Sequence, residues 1–81
     1  MIQASVAVYP LQADTSAGVE RAISALQQAG VECEVGSMHT QILGSSEAVF
    51  AALQVAFNGA AELGPTVMIV TVSNACPLPD R

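Results

Sequence analysis

Positive charge is what this chain has least of. Its 81 residues include no lysine and two arginines, Arg21 and Arg81, against seven acidic residues, for a net charge of -5. Nucleic-acid binding draws much of its affinity from cations that neutralise phosphates, so that class of function is excluded. Long apolar runs are missing too. None approaches the ~20 residues of a membrane-spanning helix, so no membrane insertion is expected. Tryptophan is absent, and there are one tyrosine, one histidine and two cysteines. Cys33 and Cys76 lie far apart and fit neither a metal-ligand spacing nor a redox pair. The expectation is a cytoplasmic protein with two reduced thiols. Met1-Ile2-Gln3-Ala4-Ser5 is already strand-like and has no basic region ahead of an apolar core, so a signal peptide is not expected.

What the chain does have is apolar substance. It is 52% hydrophobic and 11% charged, enough to bury a core and unlike a disordered segment. Its length suits one domain, spanning 1–81, with no room for a second core. So few charges on so small a body leave apolar surface to hide, and a second copy of the chain or another partner is expected to cover it.

Periodicity sets out the elements. From Ile2 to Tyr9 the sequence alternates, with Ile2, Ala4, Val6 and Val8 on one face and Gln3, Ser5, Ala7 and Tyr9 on the other. That is a strand, which Pro10 is expected to end. Asp14-Thr15-Ser16 offers N-caps for a helix whose apolar stripe is Val19, Ala22, Ile23, Leu26 and Ala29, with Gly30 as its stop. Val31, Cys33 and Val35 alternate with Glu32 and Glu34. Gly36-Ser37 then breaks the run, and Met38 to Leu43 forms the second arm of a hairpin closed by Gly44. The facing of that arm stays open, because neither Met38/Thr40/Ile42 nor His39/Gln41/Leu43 is clearly the apolar set. Ser45-Ser46-Glu47 caps a second helix with a stripe of Val49, Leu53, Ala56 and Ala60, widened by Phe50 and Phe57. Gly64-Pro65 stops it. The run Val67 to Val72 then reads as a strand covered on both faces, ending in the polar tip Ser73-Asn74. The tail from Pro77 to Arg81 has no element left to form.

The order strand, helix, strand, strand, helix, strand is the split βαβ pattern of a ferredoxin-like α+β sandwich. It has a four-stranded antiparallel sheet in the order 4-1-3-2 and two helices on one face. The other face is left bare, carrying Gln3, Ala7, Tyr9 and one set from the last strand. Such a face meets a ligand or a second subunit.

Candidate chemistry is sparse. His39 has no recognisable catalytic partner in sequence. Metal binding would require Cys33, Met38 and His39 to converge across the hairpin, and no metal site is expected. No glycine-rich loop feeds a helix, so a phosphate-bearing cofactor is not expected, nor is any other cofactor. What remains is a set of neutral hydrogen-bonders on strands, namely Ser37, His39, Thr40, Gln41, Thr71, Ser73 and Asn74, with Tyr9 as an aromatic wall. Asparagine and serine read both donor and acceptor edges of a heteroaromatic ring, and tyrosine or methionine stacks on its face. Together they suit a small planar ligand, neutral or cationic.

Four segments in order carry a resemblance. They are Val8-Tyr9-Pro10-Leu11, the hairpin Val35 to Gly44, the segment Val49-Phe50-Ala51-Ala52-Leu53, and the closing Ser73-Asn74-Ala75-Cys76-Pro77. Together they resemble the YkoF-like thiamine/hydroxymethylpyrimidine-binding family, over about Ser5 to Pro77. The resemblance implies a ferredoxin-like fold and binding of thiamine or its pyrimidine moiety in support of uptake or salvage, with no reaction of its own. Some members carry two tandem copies whose sheets face each other. This chain has one, which implies a homodimer or homotetramer. Met38, His39, Thr40, Ser73 and Asn74 are the implied pocket residues, and Tyr9 is added from the neighbouring strand. The rival reading is a small dimeric enzyme using His39 or Cys76 at a subunit cleft.

Overall fold

A computed structural model describes residues 1–11 and 15–75. The elements follow as β1 (Ile2–Pro10), α1 (Thr15–Gln27), β2 (Glu32–Val35), β3 (Thr40–Gly44), α2 (Ser46–Ala61) and β4 (Thr66–Ser73). All strand pairs are antiparallel, in the order β2-β3-β1-β4. With α1 packed over β1 and β2 and α2 over β1, β3 and β4, this is the ferredoxin-like α+β sandwich.

The alternation of β1 decides its two faces. Ala4 and Val6 are fully buried against the helices, with Ile2 and Val8 packed beside them. From α1 come Ala22 and Leu26, and from α2 come Val49, Ala52, Leu53, Ala56 and Ala60. Alanine and glycine at the helix contact allow a close approach. The Arg21 stem lies across Gly59, near enough that an added Cβ would stand 3.1 Å from its Cγ. Arg21 then reaches Glu62 at 2.9 Å, tying α1 to the end of α2 through an exposed ion pair worth little by itself. The Ser45 hydroxyl caps α2 by accepting from the Ala48 N–H at 3.1 Å. Asp14, the first candidate cap of α1, lies outside the described residues, as does the tail from Cys76 onward. Gly30 follows α1 at φ 80°, the left-handed conformation that ends helices.

Pro10 ends β1 as its last residue, opposite Thr66, at a position where its missing N–H leaves no ladder bond unmade. Three expectations need correction. The second hairpin arm starts at Thr40, because Met38 belongs to the turn. Phe50 and Phe57 do not widen the buried stripe of α2. They flank it, and Phe50 is 55% exposed. Nor is β4 covered on both faces. It is an edge strand whose Met68 and Val70 pack on the core while Val67 and Ile69 stand out on the open face, Ile69 57% exposed. A continuous apolar run therefore marks two environments here, a core side and a bare sheet face.

Candidate functional site

Register places every strand residue that matters. Thr40 lies opposite Val6 in β1 and Val35 in β2, so its side chain joins the helix side of the sheet. It is 5% exposed, and its hydroxyl has no hydrogen-bond partner among the described residues. Ile42 shares that face and is buried, which settles the facing of β3 in favour of the Thr40/Ile42 set. Leu43, on the other face, is also buried, which explains why neither set read as the apolar one.

The hairpin turn is Gly36-Ser37-Met38-His39. The Gly36 N–H donates to the His39 carbonyl at 2.9 Å. An added Cβ on Gly36 would stand 2.8 Å from that same oxygen, so the turn closes tightly because residue 36 has no side chain. Beneath this turn lies a cavity of about 90 Å³. Its walls are Val6, Ala7 and Val8 of β1, Val19, Ile23 and Leu26 of α1, and Gly36, Met38, His39 and Thr40 of the hairpin. The volume is about three times a water's share of the liquid, room for the leading edge of one small ring and too little for a two-ring ligand. Met38 stands at its mouth, 81% exposed, as a flexible apolar flap.

The open face carries a second set of groups. Gln3, Ser5, Ala7 and Tyr9 of β1 stand opposite Ser73, Thr71, Ile69 and Val67 of β4. Gln3 Nε2 donates to Gln41 Oε1 at 3.2 Å, and Gln41 Nε2 lies 3.5 Å from His39 Nε2. The His39 ring thus has an amide beside it where a general base would have a carboxylate. Glu32 and Glu34 flank this face from β2, opposite Leu43 and Gln41.

Of the six sequence-derived site residues, the structure brings Met38, His39 and Thr40 together around the cavity. Tyr9 lies on the open face with Val67. Ser73 pairs with Gln3 at the opposite end of β1, six residues and roughly 20 Å from Tyr9 along the strand. Antiparallel pairing sends the end of β4 to the start of β1, so Ser73 stands apart from both Thr40 and Tyr9. The Ser73 hydroxyl accepts from the Ala75 N–H at 3.0 Å, a local turn beside Asn74. Cys76 lies outside the described residues. Burial raises the Cys33 thiol above its ordinary pKa, which favours its protonated form. No metal-binding cluster occurs among the described residues. No helix among them is long and apolar enough to cross a membrane. Sequence reasoning missed the α1 wall of the cavity and its β1 edge, which no periodicity reveals, because they depend on where one strand outlasts its neighbour.

A ferredoxin-like α+β domain with a small cavity under its hairpin is the class that fold and site define. The profile of the thiamine-binding protein family matches residues 4–73. The chain belongs to that family, as its YkoF-like resemblance implies. Among solved structures it is similar to a Bacillus cereus domain of unknown function, DUF77, at 25% identity and TM-score 0.80, covering 89% of this chain and 73% of that one. It is also similar to a hypothetical protein of Methanocaldococcus jannascii at 19% identity and TM-score 0.85, covering 99% and 86%. A candidate thiamine biosynthesis/salvage protein of Thermotoga maritima matches at 20% identity and TM-score 0.79, covering 88% and 80%. No curated protein matches the chain.

Proposed function

We propose that the protein binds thiamine or its hydroxymethylpyrimidine moiety without transforming it, in support of thiamine uptake or salvage in the cytoplasm. The observation that carries this reading is membership of the thiamine-binding protein family over residues 4–73. The cavity agrees with it chemically. Its walls carry valine, isoleucine, leucine and methionine side chains among polar groups, it holds one buried hydroxyl, and it admits the edge of a single ring. The pyrimidine enters beneath the turn, Met38 closes over it, and Thr40 meets it from the floor. The acidic surplus, including Glu32 and Glu34, suits the cationic thiazolium.

Tyr9, Ser73 and Asn74 enter this reading through assembly. Tyr9, Val67 and Ile69 leave the open face apolar at one end, and a second copy laid on it as a homodimer or homotetramer would bring these residues to a partner's ligand. Titration calorimetry with thiamine and with hydroxymethylpyrimidine tests the function. Heat of binding is expected, with about 2.7 kcal/mol of added stability at a hundredfold excess over Kd. Absence of both heat and thermal stabilisation at millimolar concentrations of either ligand sinks the proposal.

A further inference from the structure

The β1 strand outlasts its neighbour. Its ladder with β3 ends at Val6↔Thr40, whereas its ladder with β4 runs on to Pro10↔Thr66. The direction of the backbone groups in the unmatched stretch follows from one hydrogen bond. The Leu11 N–H donates to the Pro65 carbonyl at 2.8 Å, continuing the β1–β4 register by one pair. In an antiparallel ladder the N–H and C=O of one residue point to the same side, and successive residues alternate sides. Leu11, Tyr9 and Ala7 therefore address β4, and Val6 and Val8 address the β3 side. Val6 meets Thr40 there. Val8 meets no strand, because the residue in register would be Met38, which has turned away into the hairpin loop.

The donor and acceptor of Val8 are thus directed at the cavity that Val8, Met38 and Thr40 line. Beside them is the Thr40 hydroxyl, buried and without a partner among the described residues. A buried polar group without a partner is costly, and a native fold retains one where something else supplies the bond. Three polar groups thus border one hollow: a strand-edge N–H, a strand-edge C=O and a hydroxyl. The N–H and C=O form a side-by-side donor–acceptor pair. Its complement is a planar ring with an amino group adjacent to a ring nitrogen, in which the amino group donates to the Val8 carbonyl and the ring nitrogen accepts from the Val8 N–H.

Resting on the thiamine-binding reading, we infer that ligand specificity is set by the Val8 main chain and the Thr40 hydroxyl, which together read the aminopyrimidine edge. An amidine-like N–C–NH2 edge satisfies both Val8 groups in one plane, as a further strand would. A ring bearing a carbonyl and a ring N–H in their place presents the same two positions with donor and acceptor exchanged. It sets acceptor against acceptor and donor against donor.

Two measurements on the intact protein test this. The first compares thiamine with oxythiamine, whose pyrimidine carries the exchanged edge, by calorimetry on the wild-type chain. Oxythiamine should bind about a hundredfold or more weakly, since a site built around specific donors rejects analogues that leave them unpaired. The second is Thr40→Val, which keeps the shape and removes the hydroxyl. The unliganded variant should melt at or above the wild-type temperature, and its thiamine affinity should fall roughly three- to tenfold, the effect of one neutral hydrogen bond. Equal affinities for thiamine and oxythiamine overturn the inference while leaving the functional reading intact. A Thr40→Val chain that loses stability but keeps its affinity also overturns it, by assigning the hydroxyl a structural part. Failure of the wild-type chain to bind thiamine or hydroxymethylpyrimidine overturns the functional reading, and this inference with it.

Discussion

Replacing Gly36 with alanine should damage the hairpin and the cavity together, and the size of the damage follows from one contact. The new Cβ would stand 2.8 Å from the His39 carbonyl oxygen, a backbone atom that no rotamer change can move. Restoring ordinary contact requires that oxygen to retreat by about half an ångström. The same oxygen accepts the Gly36 N–H at 2.9 Å, so the retreat stretches that bond to the limit of useful geometry. Losing it costs about 0.5–1.5 kcal/mol. Bending the turn to make room adds about 1 kcal/mol for each modest angular distortion. Against this, alanine restricts the unfolded chain and returns about 0.4–1 kcal/mol. The balance is a loss of about 0.5–2 kcal/mol, or roughly 2–16 °C in Tm for a domain of this length. Because Met38, His39 and Thr40 follow directly and line the cavity, thiamine affinity should fall in the same variant. Thermal denaturation followed by circular dichroism, with calorimetry on the folded variant, makes the measurement. A Tm at or above wild type would refute the reasoning, because the entropic gain would then have met no clash.

Gly30→Ala is the control: with nothing within 4 Å of an added Cβ but φ at 80°, it should cost about 1–2 kcal/mol through backbone strain alone, and Gly30→Asn less. Neither should change ligand affinity at the hairpin, and a matching loss of binding would count against the separation of the two sites. Ile69→Lys places a charge on the exposed edge strand. The Tm of the individual subunit should hardly move, while light scattering should show the proposed dimer or tetramer dissociating; an unchanged mass would remove the open face as the assembly surface. Burial raises the Cys33 pKa, so its folded-state proton adds stability below the unfolded thiol's pKa, and that stability is lost as pH climbs through the raised value. Iodoacetamide should label the Cys33 peptide more slowly in the native than in the denatured protein near pH 8.5, and equal rates would contradict the assignment.

The sequence by itself determined the element order, the facing of β1 and the helix cores. Each follows from local spacing, with period two for Ile2 to Val8, three and four for Val49 to Ala60, and glycine or proline where the pattern stops. The same spacing was silent about Thr40, because a polar residue on the core side breaks the alternation used to read facing. It misjudged Phe50 and Phe57, since a residue at the margin of a helical stripe is buried only if a neighbour extends over it. It took Val67 to Val72 as doubly covered, since apolar composition cannot distinguish a buried face from one awaiting a partner. Only the tertiary structure decided which ends meet. Antiparallel register carries Ser73 to Gln3 and leaves Tyr9 at the far end. The early turn at Met38 leaves the Val8 main chain without a neighbour above the Thr40 hydroxyl. Pairing between strands distant in the chain depends on where each ladder stops, and that is a property of two segments together which neither segment's own pattern contains.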